Sequence, residues 1–224
     1  MDSFHRVGHR TAASSVTVLA QLFGITALIL LLIWLLHFRE GLNLDSENPY
    51  QIFNVHPFLM YFGFIFFGAQ AMMAFKTVAA ERDIKKFSHM FLHVIAITLG
   101  IVGIYSVFKF HDKQNIKNMY SLHSWIGMGT FCLYGLQWLF GFTLFMFPKA
   151  TEGTRRRAMP WHISYGRALL YMSVCAALTG LMEKVGFLKL QDNNESRLIN
   201  FTGLAILLFG ITVDLSITLA RYLY

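Results

Sequence analysis

Six apolar stretches, at roughly 15–37, 56–76, 86–108, 122–147, 161–183 and 198–222, dominate the 224-residue chain. Each is long enough to cross a hydrocarbon core as a helix, which takes about 20 residues. Inside lipid the backbone must satisfy its own hydrogen bonds, so stretches of this kind fold as helices. Charged residues reach only 14% while hydrophobic residues reach 55%, against about 25% charged in an average soluble domain. A single water-soluble core could not hide that much apolar surface. Four prolines, 17 glycines and two cysteines also exclude disordered, collagen-like and disulfide-scaffold chains. The expectation is an all-α integral membrane protein: one domain over residues 1–224 with six transmembrane helices. The first stretch is too long for a signal-peptide core and no small-residue cleavage site follows it, so it reads as retained.

Charge orients the bundle. With both termini on one face, the segments on that face carry eleven Lys and Arg against four acids, and the opposite segments carry seven against seven. Basic excess marks the cytoplasmic side, which places both termini there. The sequons at Asn194 and Asn200 fall on the opposite side. The formal charge of +7 does not imply nucleic acid, because no basic segment stands free of the membrane. Cys132 and Cys175 lie within apolar runs, and no CxxC or CxxCH spacing offers zinc, redox or covalent haem chemistry.

The nine histidines are not scattered at random. His5 and His9 sit in the N-terminal tail, and His37 closes the first helix. His56, His89, His123 and His162 each begin a different helix among the second to fifth. Helix beginnings alternate between faces, so His56 shares the outer depth with His123, and His89 shares the inner depth with His162. One histidine at an interface needs no explanation. Four on consecutive helices, matched in pairs by depth, point to function, since ionisable groups in a membrane are costly. A porphyrin accounts for the pairing: iron takes one imidazole from each face, and the apolar ring suits a bundle core. The reading is a central four-helix bundle, helices 2–5, holding two non-covalent b-type haems. Filled axial positions favour electron transfer over oxygen chemistry. On geometry alone His93, one turn beyond His89, could meet the inner iron instead.

The stretches FNVHP (Phe53 to Pro57), KKFSH (Lys85 to His89), KFH (Lys109 to His111), YSLHSW (Tyr120 to Trp125) and MPWH (Met159 to His162) resemble the cytochrome b561 family across the four central helices. The resemblance implies an ascorbate-dependent transmembrane oxidoreductase, a monodehydroascorbate reductase or ferrireductase. It would take electrons from cytosolic ascorbate and deliver them to monodehydroascorbate or a ferric chelate on the other side. Family ligand positions carry over as His56 with His123 and His89 with His162, leaving His93 beside a haem edge. The resemblance also implies a homodimer in vacuolar, vesicular or plasma membrane lipid.

Ascorbate is an anion, and the inner surface is the basic one. Lys85 and Lys86 precede His89 by about one turn; Arg155, Arg156 and Arg157 precede His162 by what reads as a short loop containing Pro160; Lys76 ends the second helix. These six are the candidate donor site. In the family, residues matching Phe110 and His111 line the acceptor site, with Tyr120 a further candidate. Gln70 and Gln137 each lie 14 residues after an outer ligand, about 21 Å deeper, at the inner haem layer. They are read either as haem-side hydrogen-bonding groups or as interhelical polar contacts. Pro57 after His56 reads as a helix start, and Arg167 with Asp214 as a buried ion pair. The competing function is a haem-free transporter whose histidines bind protons or a metal. It would favour acids in mid-membrane, where only Asp214 is available. An intramembrane zinc hydrolase would need three ligands at one depth.

Overall fold

The structure, a computed structural model, describes residues 2–221, with side chains from 15 to 219. The side chains of His5, Arg6, His9, Arg10 and Arg221, which entered the charge and histidine arguments, lie outside the described residues. Six helices follow one another: α1 (Asp2–Ile33, continued by a π-helical turn Trp34–Phe38), α2 (Pro49–Thr77), α3 (Arg82–Gln114), α4 (Leu122–Phe145), α5 (Glu152–Phe187) and α6 (Asn194–Arg221). All six contain a segment long and apolar enough to cross a membrane. Among the described residues there is no strand.

Several helices begin well before their apolar stretch, because apolarity ends at the membrane surface while a helix ends at its cap. Asn48 caps α2 by accepting from the Tyr50 N–H at 3.0 Å, and Pro49 takes the first helical position, where its missing N–H costs nothing. Pro57 therefore lies inside α2 and does not start it. It withholds a hydrogen-bond donor and crowds the carbonyl one turn back, and the helix widens to π geometry over Leu59–Phe66. Likewise Thr151 caps α5, so Arg155, Arg156, Arg157 and Pro160 are helical and not a loop. His56 and His162 consequently stand two to three turns inside their helices, while His123 lies within the Ser121–Ser124 capping box at the start of its own.

Helices α2 to α5 close a ring in which α2 packs tightly along α3 and α4 along α5, while α3 and α4 touch sparsely. Outside this ring α1 lies along α6, and α6 also packs on α5 and α2. Trp34, Leu35, Phe209 and Val213 are fully enclosed there. Glu195 ties the two outer helices together, accepting from Trp34 Nε1 at 2.8 Å and pairing with Arg39. Trp125, Leu136, Phe140 and Met182 point outward, as lipid-facing side chains do.

Candidate functional site

The four ring helices bring the paired histidines together across both diagonals. His56 on α2 faces His123 on α4, with ring centroids 6.0 Å apart. His89 on α3 faces His162 on α5 at 6.1 Å. A metal accepting two in-line nitrogens at about 2 Å, with about 1 Å from nitrogen to ring centre, sets such rings about 6 Å apart.

What lies behind each ring decides which nitrogen can serve. His56 Nδ1 donates to Gly103 O at 3.0 Å, His89 Nδ1 to Ala71 O at 2.8 Å, and His123 Nδ1 to Ala176 O at 2.8 Å. A carbonyl can only accept, so the proton sits on Nδ1 and Nε2 keeps its lone pair for a metal. His162 is held differently: the Gln137 amide nitrogen lies 3.0 Å from its Nδ1 and donates to its carbonyl at 2.7 Å. The anchors follow a rule. Each helix supplies a histidine at one layer and, 14 or 15 residues later, the anchor for a histidine at the other: Ala71 after His56, Gly103 after His89, Gln137 after His123, Ala176 after His162. Fourteen residues make nearly four turns, so both lie on one helix face, and the layers are about 21 Å apart. Two imidazoles per layer, held from behind in apolar surroundings, fit haem b. Among the described residues no three His, Cys, Asp or Glu side chains converge as a metal site would need.

Two glycines make room for the rings. A Cβ at Gly180 would lie 2.7 Å from His123 Cε1, and one at Gly141 would lie 3.1 Å from His162 Cε1. Neither glycine stands out in the sequence, where only its distance from a histidine on another helix would reveal it.

At the inner layer a cavity of about 740 Å³ opens between α2, α3, α4 and α5, within the about 300–1,000 Å³ typical of ligand sites. His89, His93, Tyr134, Gln137 and His162 line it, and Lys76, Lys85, Lys86 and Arg82 give it a basic rim. Arg82 was not among the residues expected there, although it precedes His89 by two turns on the same face. Lys76 Nζ donates to Ser216 Oγ at 3.2 Å, and Lys86 pairs with Asp83 at 3.3 Å. Arg155, Arg156 and Arg157 do not line the cavity: Arg155 donates to Ala150 O at 2.7 Å, and the other two are exposed.

His93 also lines the cavity, its ring edge-on to His89 at 4.5 Å and its Nδ1 engaged with the Tyr134 hydroxyl. His89, not His93, stands across from His162. The two glutamines separate. Gln137 reaches His162, whereas Gln70 turns away from the cavity and exchanges two 2.9 Å amide hydrogen bonds with Gln21 on α1. Gln70 is thus an interhelical contact, because it falls on the face of α2 that α1 covers. Arg167 and Asp214 form the expected pair, through Nε to Oδ1 at 2.5 Å and Nη2 to Oδ2 at 2.9 Å.

At the outer layer Phe110 is buried against Phe53, with ring centroids 5.1 Å apart, and Phe53 lies 6.2 Å from His56. The His111 ring lies tilted against Phe110 with centroids 5.9 Å apart, and its Nδ1 donates to Asn118 Oδ1 at 2.7 Å. Tyr120 is exposed in the loop before α4; partial desolvation and the nearby Glu183 carboxylate push its phenol pKa upward.

The family profile for eukaryotic cytochrome b561 matches residues 55–188. The chain is 42% identical over 212 residues to a probable ascorbate-specific transmembrane electron transporter 1 of Oryza sativa subsp. japonica, covering 92% of this chain and 91% of that one. It is 40% identical to transmembrane ascorbate ferrireductase 1 of Arabidopsis thaliana, over 92% and 88% of the two chains. A transmembrane ascorbate-dependent reductase of Mus musculus is 37% identical over 87% of this chain and 78% of its own.

Proposed function

The chain belongs to the eukaryotic cytochrome b561 family of haem b membrane proteins, and from that premise we propose that it is an ascorbate-dependent transmembrane oxidoreductase. It would move electrons from ascorbate on the basic cytosolic face to monodehydroascorbate or a ferric chelate opposite, with two haem b groups, held by the paired histidines, as its redox cofactors. The observation that carries this reading is the pair of diagonal imidazole contacts at 6.0 and 6.1 Å. His56 with His123 and His89 with His162 would hold haem b, which would supply a one-electron couple.

The chain's own residues do the rest. Nδ1 anchors on Gly103, Ala71 and Ala176 hold three rings in the ligating tautomer, and the Gln137 amide fixes the position of the fourth through the His162 ring and carbonyl. Lys76, Lys85, Lys86 and Arg82 draw the ascorbate anion to the inner cavity mouth. Arg155, Arg156 and Arg157 raise the positive potential of that face from outside the cavity. Phe110, His111 and Tyr120 form the outer approach. Both termini are cytoplasmic, and the protein works as a homodimer in a vacuolar, vesicular or plasma membrane.

The test is an ascorbate-reduced minus oxidised visible spectrum of the purified protein, with haem and protein quantified on one sample. Two low-spin b haems per chain, largely reduced by ascorbate, are expected. Haem that responds only to dithionite removes ascorbate as donor. Protein that stays colourless under adequate haem supply overturns the reading in favour of a histidine-based proton or metal transporter.

A further inference from the structure

Lys184 stands near the outer end of α5, one turn beyond Gly180 and therefore on the face that carries the His123 ring. It is only 9% exposed, which is rare for a lysine. Its Nζ lies 3.8 Å from the centre of the Phe53 ring and 5.8 Å from that of Tyr50. Phe53 in turn packs on His56 and Phe110, so the ammonium sits at the rim of the outer histidine pair.

The charges around it do not balance. Glu195 is the acid near Lys184, and it is already engaged by Arg39 and by Trp34 Nε1. Lys109 pairs with Asp45 and Arg197 with Asp192. Among the described residues no carboxylate lies within 4 Å of Lys184 Nζ. The group of Arg39, Lys184 and Glu195 thus carries one net positive charge, with Lys184 itself largely withdrawn from water, and the remaining outer segments, five Lys and Arg against six acids, place no carboxylate against it. Aromatic faces offset part of the desolvation; a bound anion would offset the remainder.

We propose that Lys184 is the anion-binding cation of the outer site, taking a carboxylate or enolate oxygen presented beside His56 and His123. This rests on the electron-transfer reading and adds to it a recognition element that the KFH stretch does not supply. Two sources offer the same oxygen chemistry, a propionate of the outer haem and a soluble anionic acceptor.

The experiment compares wild type with Lys184→Met, which keeps the stem, and Lys184→Arg, which keeps the charge, as full-length protein in ascorbate-loaded vesicles. Outer acceptors are ferric citrate and the cationic hexaammineruthenium(III), and haem midpoints are titrated on the same preparations. If the anion is the acceptor, Lys184→Met raises KM for ferric citrate about tenfold or more, leaves the cationic acceptor unchanged, and Lys184→Arg recovers. If it is a propionate, the outer midpoint falls in Lys184→Met with both KM values unchanged, and Lys184→Arg restores it. Unchanged midpoints with either unchanged KM values or equal loss for both acceptors overturn the proposal. Should Lys184→Met not retain haem, the wild-type rate decides. Loss of rate with rising salt for ferric citrate but not for the cation supports the acceptor arm, and salt-insensitive KM with Lys184→Arg midpoints equal to those of Lys184→Gln overturns both. Failure of the electron-transfer reading itself would show separately, as wild-type vesicles without ascorbate-reducible haem.

Discussion

The His123 imidazole rests directly on Gly180 of the neighbouring helix: a methyl group there would come within 2.7 Å of Cε1. The Nδ1 of the same ring is fixed to Ala176 O, one turn earlier on that helix. The ring is held from two sides by α5 and has no room to retreat. Gly180→Ala must therefore either tilt the ring off its diagonal or push α4 from α5, an overpacking cost of about 1–3 kcal/mol. We expect the variant to lose the outer haem and keep the inner one, read as a fall in the haem-to-protein ratio with the inner midpoint unchanged. Gly186→Ala, which meets nothing within 4 Å, should be silent.

Gln137 is the only side chain among the four anchors behind the histidines. Gln137→Ala leaves the His162 ring without its hydrogen-bonding partner, and loss of such a partner typically costs 10–100-fold in metal affinity, so about that loss is expected at the inner layer. Transfer of haem to an excess of apomyoglobin measures it. The inner haem should leave the variant faster, while the outer haem should exchange at the wild-type rate.

Gln70 provides the contrast. Its two amide hydrogen bonds go to Gln21, joining α1 to α2 away from the cavity. Gln70→Leu should leave both haem spectra and both midpoints unchanged. It should lower unfolding stability by about 1 kcal/mol, in the range measured for interhelical hydrogen bonds in membranes.

These two glutamines show where the sequence is legible and where it falls silent. Both sit 14 residues after an outer histidine, so spacing assigns them the same depth. The rotation of each helix against its neighbours separates them, and that depends on which face α1 covers. Depth and pairing of the histidines were readable because apolar runs mark the membrane and helix beginnings alternate between its faces. The anchors on Gly103, Ala71 and Ala176 were not readable, since every residue carries a carbonyl. Helix ends depart from the ends of the apolar runs for a related reason. Hydropathy stops at the lipid surface, but Asn48 and Thr151 carry α2 and α5 further. That extension also turned Arg155, Arg156 and Arg157 from loop residues into a helical face outside the cavity.

Asp214 is 6% exposed and, among the described residues, accepts two hydrogen bonds from Arg167 and one from the Tyr171 hydroxyl at 2.9 Å. Removing one member of a buried pair strands the other charge, at a cost of about 3–5 kcal/mol. The Arg167 side chain is 36% exposed, so Asp214→Asn should fall near the lower end, about 3 kcal/mol, in denaturant unfolding followed by helix signal. Tyr171→Phe should cost about 1 kcal/mol. Neutralising both charges with Arg167→Met and Asp214→Leu should recover most of the loss, because the packed apolar replacement leaves no stranded ion. Exchanging the two charges should recover less than that double variant. Tyr171 donates to the carboxylate where it now stands, and the exchange presents it with a guanidinium. Recovery by exchange that equals or exceeds the apolar double variant would show that Tyr171 contributes nothing to holding Asp214.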